Sequence, residues 1–165
     1  MQARTRQMWL FAAVAVTLVV VLAATTLAQS GNPTNLGTWK LNLAKSKISA
    51  DMAPKSATFT VEAAGAGAKV TVDAVYADGT VRHWGYTANY DGKDNPITGN
   101  CQYGDVAAVT RVDANTTKNI YKMGGKVTVT QVAVVSGDGK METITSTGTN
   151  TLGKPVNSVA VYDKQ

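Results

Sequence analysis

The chain is 165 residues long, 44% hydrophobic and 16% charged, which excludes a disordered polymer and suits one domain with a single core. Its 16 lysines and arginines against 11 acids give a net charge of +5, a small and scattered surplus that argues against a nucleic-acid partner. A single cysteine rules out an intramolecular disulfide and any thiolate metal cluster.

The first element in chain order is an export segment. Arg4 and Arg6 supply a positive start, an apolar run extends from Met8 to Ala24, and Thr25-Thr26-Leu27-Ala28 puts small residues ahead of Gln29. That order is the order of a secretory signal, with cleavage expected after Ala28. Residues 29–165 then form one exported domain, periplasmic or secreted from a bacterium. The alternative is an uncleaved anchor, since Met8 to Ala28 is 21 residues without a charge; a membrane is expected to be met only in that way. Removing the leader's two arginines leaves 14 cations against 11 acids, a net of +3.

Beyond Ala28 the chain holds 16 Val and 18 Thr against 4 Leu. Side chains stiff at their first torsion suit a pleated sheet, whereas leucine is the usual filler of helix faces. Asp78-Gly79, Asp91-Gly92, Gly124-Gly125 and Asp138-Gly139 separate alternating segments and offer the positive φ of tight hairpins. Nine strands are predicted: Gly37–Leu43, Ala57–Ala63, Lys69–Tyr76, Thr80–Tyr90, Val106–Asp113, Thr117–Lys122, Lys126–Val135, Met141–Thr149 and Pro155–Tyr162. Short turns between them predict an all-β antiparallel meander of eight or nine strands, closed into a barrel to remove its edges; a two-sheet sandwich is the rival. Ala44–Ser56 and Asp91–Asp105 read as the long loops, and Ala50–Pro54 as one helical turn.

Alternation assigns the faces. In Thr80–Tyr90, Arg82, Trp84, Tyr86, Ala88 and Tyr90 share the inward face, and Val81, His83, Gly85, Thr87 and Asn89 the outward one. Val70, Val72, Ala74 and Tyr76 point inward from the preceding strand. In Lys126–Val135, Val127, Val129, Gln131, Ala133 and Val135 form one face. Val132 and Val134 make the far half apolar on both sides, which hints at a contact surface.

Gly37-Thr38-Trp39-Lys40-Leu41 opens the first strand and Val159-Ala160-Val161-Tyr162-Asp163-Lys164 closes the last. This pairing resembles the calycin superfamily, and within it the intracellular fatty-acid and retinoid binding proteins, which begin with Gly-x-Trp-Lys-Leu and end near Tyr-x-Lys. The resemblance implies a meandering lipocalin-like barrel with an internal cavity for an apolar ligand. It also implies that Gly37 and Trp39 close one end, with Lys164 or Lys154 over the indole. One departure is plain: the ligand-holding arginine two residues before the final tyrosine is replaced by Ala160. Over Gly37–Lys47, His83–Gly99 and Pro155–Gln165 the chain is also similar to short exported bacterial proteins with no assigned activity.

Few residues suggest catalysis. His83 is the only histidine and stands on the outward face; alone it supports no metal site, and as a base it would need a nucleophile and an orienting acid, for which Asp73 or Asp94 would have to approach. Cys101 has no adjacent cation to activate it, but could pair with a second chain in a homodimer. No carboxylate pair is spaced for glycoside hydrolysis. The aromatic residues Trp84, Tyr86, Tyr90, Tyr76 and Tyr121 either line a cavity or fill a small core. The expectation is a non-catalytic binding protein, needing neither metal nor cofactor, for a small apolar or amphipathic, lipid-like molecule gripped by these rings and anchored by Arg82 or Arg111. A packed cell-envelope assembly protein is the alternative, and a small hydrolase or isomerase using His83 the third reading.

Overall fold

The structure is a computed structural model that describes residues 33–165; the export segment and its cut at Ala28 lie outside the described residues. The chain forms β1 (Gly37–Leu41), β2 (Pro54–Ala64), β3 (Gly67–Tyr76), β4 (Val81–Ala88), β5 (Asp91–Pro96), β6 (Thr98–Gly99), β7 (Val106–Arg111), β8 (Thr116–Met123), β9 (Lys126–Val135), β10 (Met141–Thr149) and β11 (Pro155–Lys164). The described chain is all-β, with one short 3-10 turn at Leu43–Lys45 that Asn42 caps by accepting from the Lys45 amide at 3.1 Å. The hairpin tips at Gly79, Gly124, Gly125 and Gly139 have the positive φ that their dipeptides suggest.

All eleven strands belong to one antiparallel sheet in the order β5-β7-β8-β9-β10-β11-β1-β2-β3-β4-β6. Its two edges, β5 and β6, are separated along the chain only by Ile97. β5 pairs with β7, setting Pro96 against Val106; β6 pairs with β4, setting Gly99 against Trp84. One stretch of backbone therefore leaves one edge and joins the other, and the sheet curls into a nearly closed barrel. Trp39 pairs with Lys164 where β1 meets β11, so the strands nearest the two chain ends are neighbours.

Two core clusters fill the barrel. Trp39, Phe59, Val61, Ala68 and Val135 pack at one end, with Trp39 fully buried. Trp84, Tyr86, Ala107, Val109, Tyr121 and Val129 form the larger group. Burying each large apolar side chain contributes about 1.5–3 kcal/mol, and aromatic pairs such as Phe59 with Tyr162, 4.8 Å between ring centres, add about 0.5–1.5 kcal/mol.

Three local expectations are corrected. The Asp91–Asp105 stretch is not a loop throughout, since it contains β5 and β6 and raises the strand count to eleven. Asp91-Gly92 is no hairpin turn: it lies within β5, where the register shifts between Asp91 and Asp94. Ala50–Pro54 does make the single turn expected of it, with the Ser49 carbonyl accepting from Met52 and, at helical i→i+4 spacing, from Ala53, at 2.9 Å each. Val127 has the inward parity but is 61% exposed, because it sits at a hairpin tip opposite a register shift at Tyr121/Lys122.

Candidate ligand-binding cavity

The barrel interior holds a cavity of about 140 Å³. It reaches the surface at one end, where exposed Ser49, Pro155 and Asn157 join its lining. The two sides of this space differ in chemistry. On the β2–β4 side the wall is apolar and aromatic, with Phe59, Val61, Val70, Val72, Trp84 and Tyr86. On the β8–β11 side polar side chains, Asn119, Gln131, Ser146, Ser158 and Glu142, are interspersed with Tyr121, Ile144, Val156, Ala160 and Tyr162.

The polar wall follows from strand register. Each antiparallel strand offers one inward residue per level, and pairing sets Asn119 opposite Gln131, Gln131 opposite Ser146, and Ser146 opposite Ser158. Gln131 donates through Nε2 to the Ser146 hydroxyl at 3.1 Å. Asn119 Oδ1 has no partner among the described residues, although Asn119 is buried. A buried acceptor left unpaired costs about 1–3 kcal/mol, so this row is expensive unless something donates to it.

Glu142 stands farther along β10, between Val135 and Tyr162 in register. It is only 2% exposed. Asn35 Nδ2 donates to Glu142 Oε1 at 3.4 Å while the Asn35 carbonyl accepts from Trp39 Nε1 at 2.7 Å, which fixes Glu142 near the Trp39 end. Oε2 has no partner among the described residues. Desolvation pushes the Glu142 carboxyl up to about 7, against a weaker opposing pull from the Asn35 hydrogen bond.

Six of the seven residues expected to grip a ligand do face the cavity. Trp84, Tyr86 and Tyr121 are buried, with Trp84 stacked on Tyr86 at 6.1 Å and edge-on to Tyr121 at 6.0 Å. Burial pushes the phenols of Tyr86 and Tyr121 well above their ordinary range, so both remain neutral. Tyr76 and Tyr90 lie toward opposite ends of the same wall, and Tyr90 takes a left-handed φ of 59° to turn in after β4. Arg82 sits at the rim, 5.7 Å from the Tyr76 ring centre, and donates to the Asn100 carbonyl at 3.3 Å. Arg111 shares the inward parity of Val109 on β7 but is not part of the cavity lining; its guanidinium is 4.6 Å from the Tyr90 ring centre. Both arginines are thus committed to tyrosine rings.

At the Trp39 end, β1 lies between β11 and β2. Lys164 Nζ, not Lys154, lies 5.3 Å from the Trp39 ring centre. Gly37 has φ of 118°, a backbone conformation that favours glycine, and a Cβ there would stand 3.1 Å from Lys164 Cε, a contact the flexible lysine end could relieve by a small shift.

The residues read for catalysis are dispersed. His83 Nδ1 meets Asp73 Oδ1 at 2.7 Å on the outer face, both well exposed, whereas Asp94 is held by Lys122 at 2.6 Å. Cys101 is partly buried near the open end, and burial pushes its thiol up to about 11. Among the lining residues that the sequence alone did not single out are Glu142, Asn119, Ser146 and Phe59. Gln131, already placed on an inward face, was the available signal for a polar wall. No protein-family model, curated protein or solved structure matches this chain, so its own geometry carries the functional argument.

Proposed function

We propose that this protein is an exported, non-catalytic binding protein that carries a small apolar or amphipathic molecule inside a calycin-like barrel. One observation carries the reading: an interior cavity of about 140 Å³ with an aromatic wall facing one that carries a row of polar side chains among apolar ones. Ligand sites are concave and largely apolar with a few placed polar groups, and this interior has that composition. The size restricts the guest. An apolar cavity of about 150 Å³ holds a benzene-sized molecule, so one ring or a short branched chain fits here, and the tail of a longer lipid would extend through the open end. Tyr76, Arg82 and Gln102 border that opening, with Gln102 Nε2 donating to the Tyr76 hydroxyl at 2.9 Å.

The test is ligand-detected NMR and calorimetry with small aromatic and short-chain compounds, alongside native mass spectrometry of protein from its own host. Saturable one-to-one binding, or a co-purifying small molecule, supports the carrier. A protein that takes up none of these sinks it. A second reading, contact with another envelope protein, is favoured by Val132 and Val134, which are 38% and 42% exposed side by side on the outer face of β9. Concentration-dependent sedimentation that vanishes in Val132→Lys/Val134→Lys would support that role.

A further inference from the structure

Building on the carrier reading, we infer that the guest is a small amine bound as its cation, with Glu142 as its counter-charge at the Trp39 end of the cavity. Glu142 is buried, lines the cavity and carries an oxygen without a partner. No ion pair among the described residues involves it. The two arginines nearest the aromatic wall are held by the Tyr76 and Tyr90 rings. A buried carboxyl that the protein leaves without a cation is costly as a mere filler, and a cation brought by the ligand removes that cost.

Three further features select the same chemistry. Two buried oxygens of lining residues, Glu142 Oε2 and Asn119 Oδ1, have no partner among the described residues and would be satisfied by donors on a guest that reached them; the one unpartnered buried donor, Arg111 Nε, belongs to a guanidinium already set against the Tyr90 ring. A carboxylate ligand would meet acceptors and a second carboxyl. Ala160, on the face of β11 that carries Tyr162, also lines the cavity and brings no cation to it. Finally, the rings of Phe59, Trp84 and Tyr86 on the facing wall suit an apolar skeleton, and their faces attract a cation. The volume admits roughly one ring with a short chain.

Four probes of similar shape separate the possibilities: phenethylamine, phenethyl alcohol, phenylacetate and ethylbenzene, each titrated calorimetrically into wild-type protein and Glu142→Gln. The expected result is that the amine binds roughly ten-fold or more tightly than the alcohol, with phenylacetate weakest. Glu142→Gln should erase the preference for the amine and leave the alcohol and ethylbenzene unchanged. If the alcohol or phenylacetate binds as well as the amine, or if Glu142→Gln keeps the amine preference, the amine inference is overturned while the carrier reading stands. If no probe binds, both fall together. Should Glu142→Gln fail to unfold cooperatively, the ranking of the four probes on wild-type protein decides alone.

Discussion

The folded environment of Glu142 favours its neutral form, raising the carboxyl from 4.5 to about 7 through desolvation. Between those values the folded chain keeps a proton that the unfolded chain has released. The resulting penalty is absent below about pH 4.5, grows through the interval, and is complete above about pH 7. Its size is on the order of 3 kcal/mol. Four aspartates act with the opposite sign. Asp78, Asp91 and Asp113 accept hydrogen bonds chiefly from backbone amides near them, and Asp138 from the Ser136 hydroxyl and the Lys140 amide, which hold their carboxyls below the usual range. Their support is present above the ordinary aspartate range and is lost as pH falls through and below it. The ligand-free protein should therefore gain stability from pH 7.5 to 5 and lose it again below about 4. Glu142→Gln should flatten the upper limb. Urea unfolding across this range reads both effects, and a flat wild-type curve between pH 5 and 7.5 would contradict the assignment.

At the scale of elements, most hairpins were legible because each strand carries its own alternation and a turn dipeptide follows it. Thr80–Tyr90 shows this best: Trp84, Tyr86 and Ala88 are buried while Val81, His83 and Thr87 are exposed. The stretch Asp-Gly-Lys-Asp-Asn-Pro of β5 carries no such pattern and reads as a loop. Its strand character comes from β7, whose Val106–Thr110 edge it satisfies, and β6 is equally a product of pairing with β4. Gly99 is the sensitive position in this seam. Its φ is 87°, and a Cβ would fall 2.1 Å from the His83 carbonyl oxygen, an atom that already accepts from the Asn100 amide at 3.0 Å. Gly99→Ala should push β6 off β4 at a cost of about 2–3 kcal/mol. Amide exchange would show lost protection at Gly85 and Asn100 while β9–β11 stay protected. Unchanged protection at those two amides would mean that the seam does not depend on β6.

Across the whole molecule, the aromatic wall could be found from sequence and the polar wall could not. Period-two alternation marks Trp84 and Tyr86 because their faces differ sharply from the opposite ones. In Met141–Thr149, by contrast, Met-Thr-Thr-Thr-Thr alternates with Glu-Ile-Ser-Gly, and neither set is apolar enough to declare itself. Glu142 and Ser146 face inward because β9 and β11 place them there. The cavity has an equally global origin: Ala57, Ala68, Ala74, Ala88 and Ala160 all contribute to its lining, where larger side chains would fill it. At about 24 cal/mol per Å³, a space of 140 Å³ costs on the order of 3 kcal/mol against a filled core, a cost that selection for packing alone would remove. Ala160, paired with Ile144 on the polar side, tests this directly. Ala160→Leu places extra methyl groups in the open volume, so it should raise the melting temperature by a few degrees and weaken small-aromatic binding at least ten-fold. Differential scanning calorimetry and the same titrations read the two effects on one sample. The gain and the loss must appear together: a core without usable space would be strained and destabilised by the leucine instead, and unimpaired binding would place the guest elsewhere.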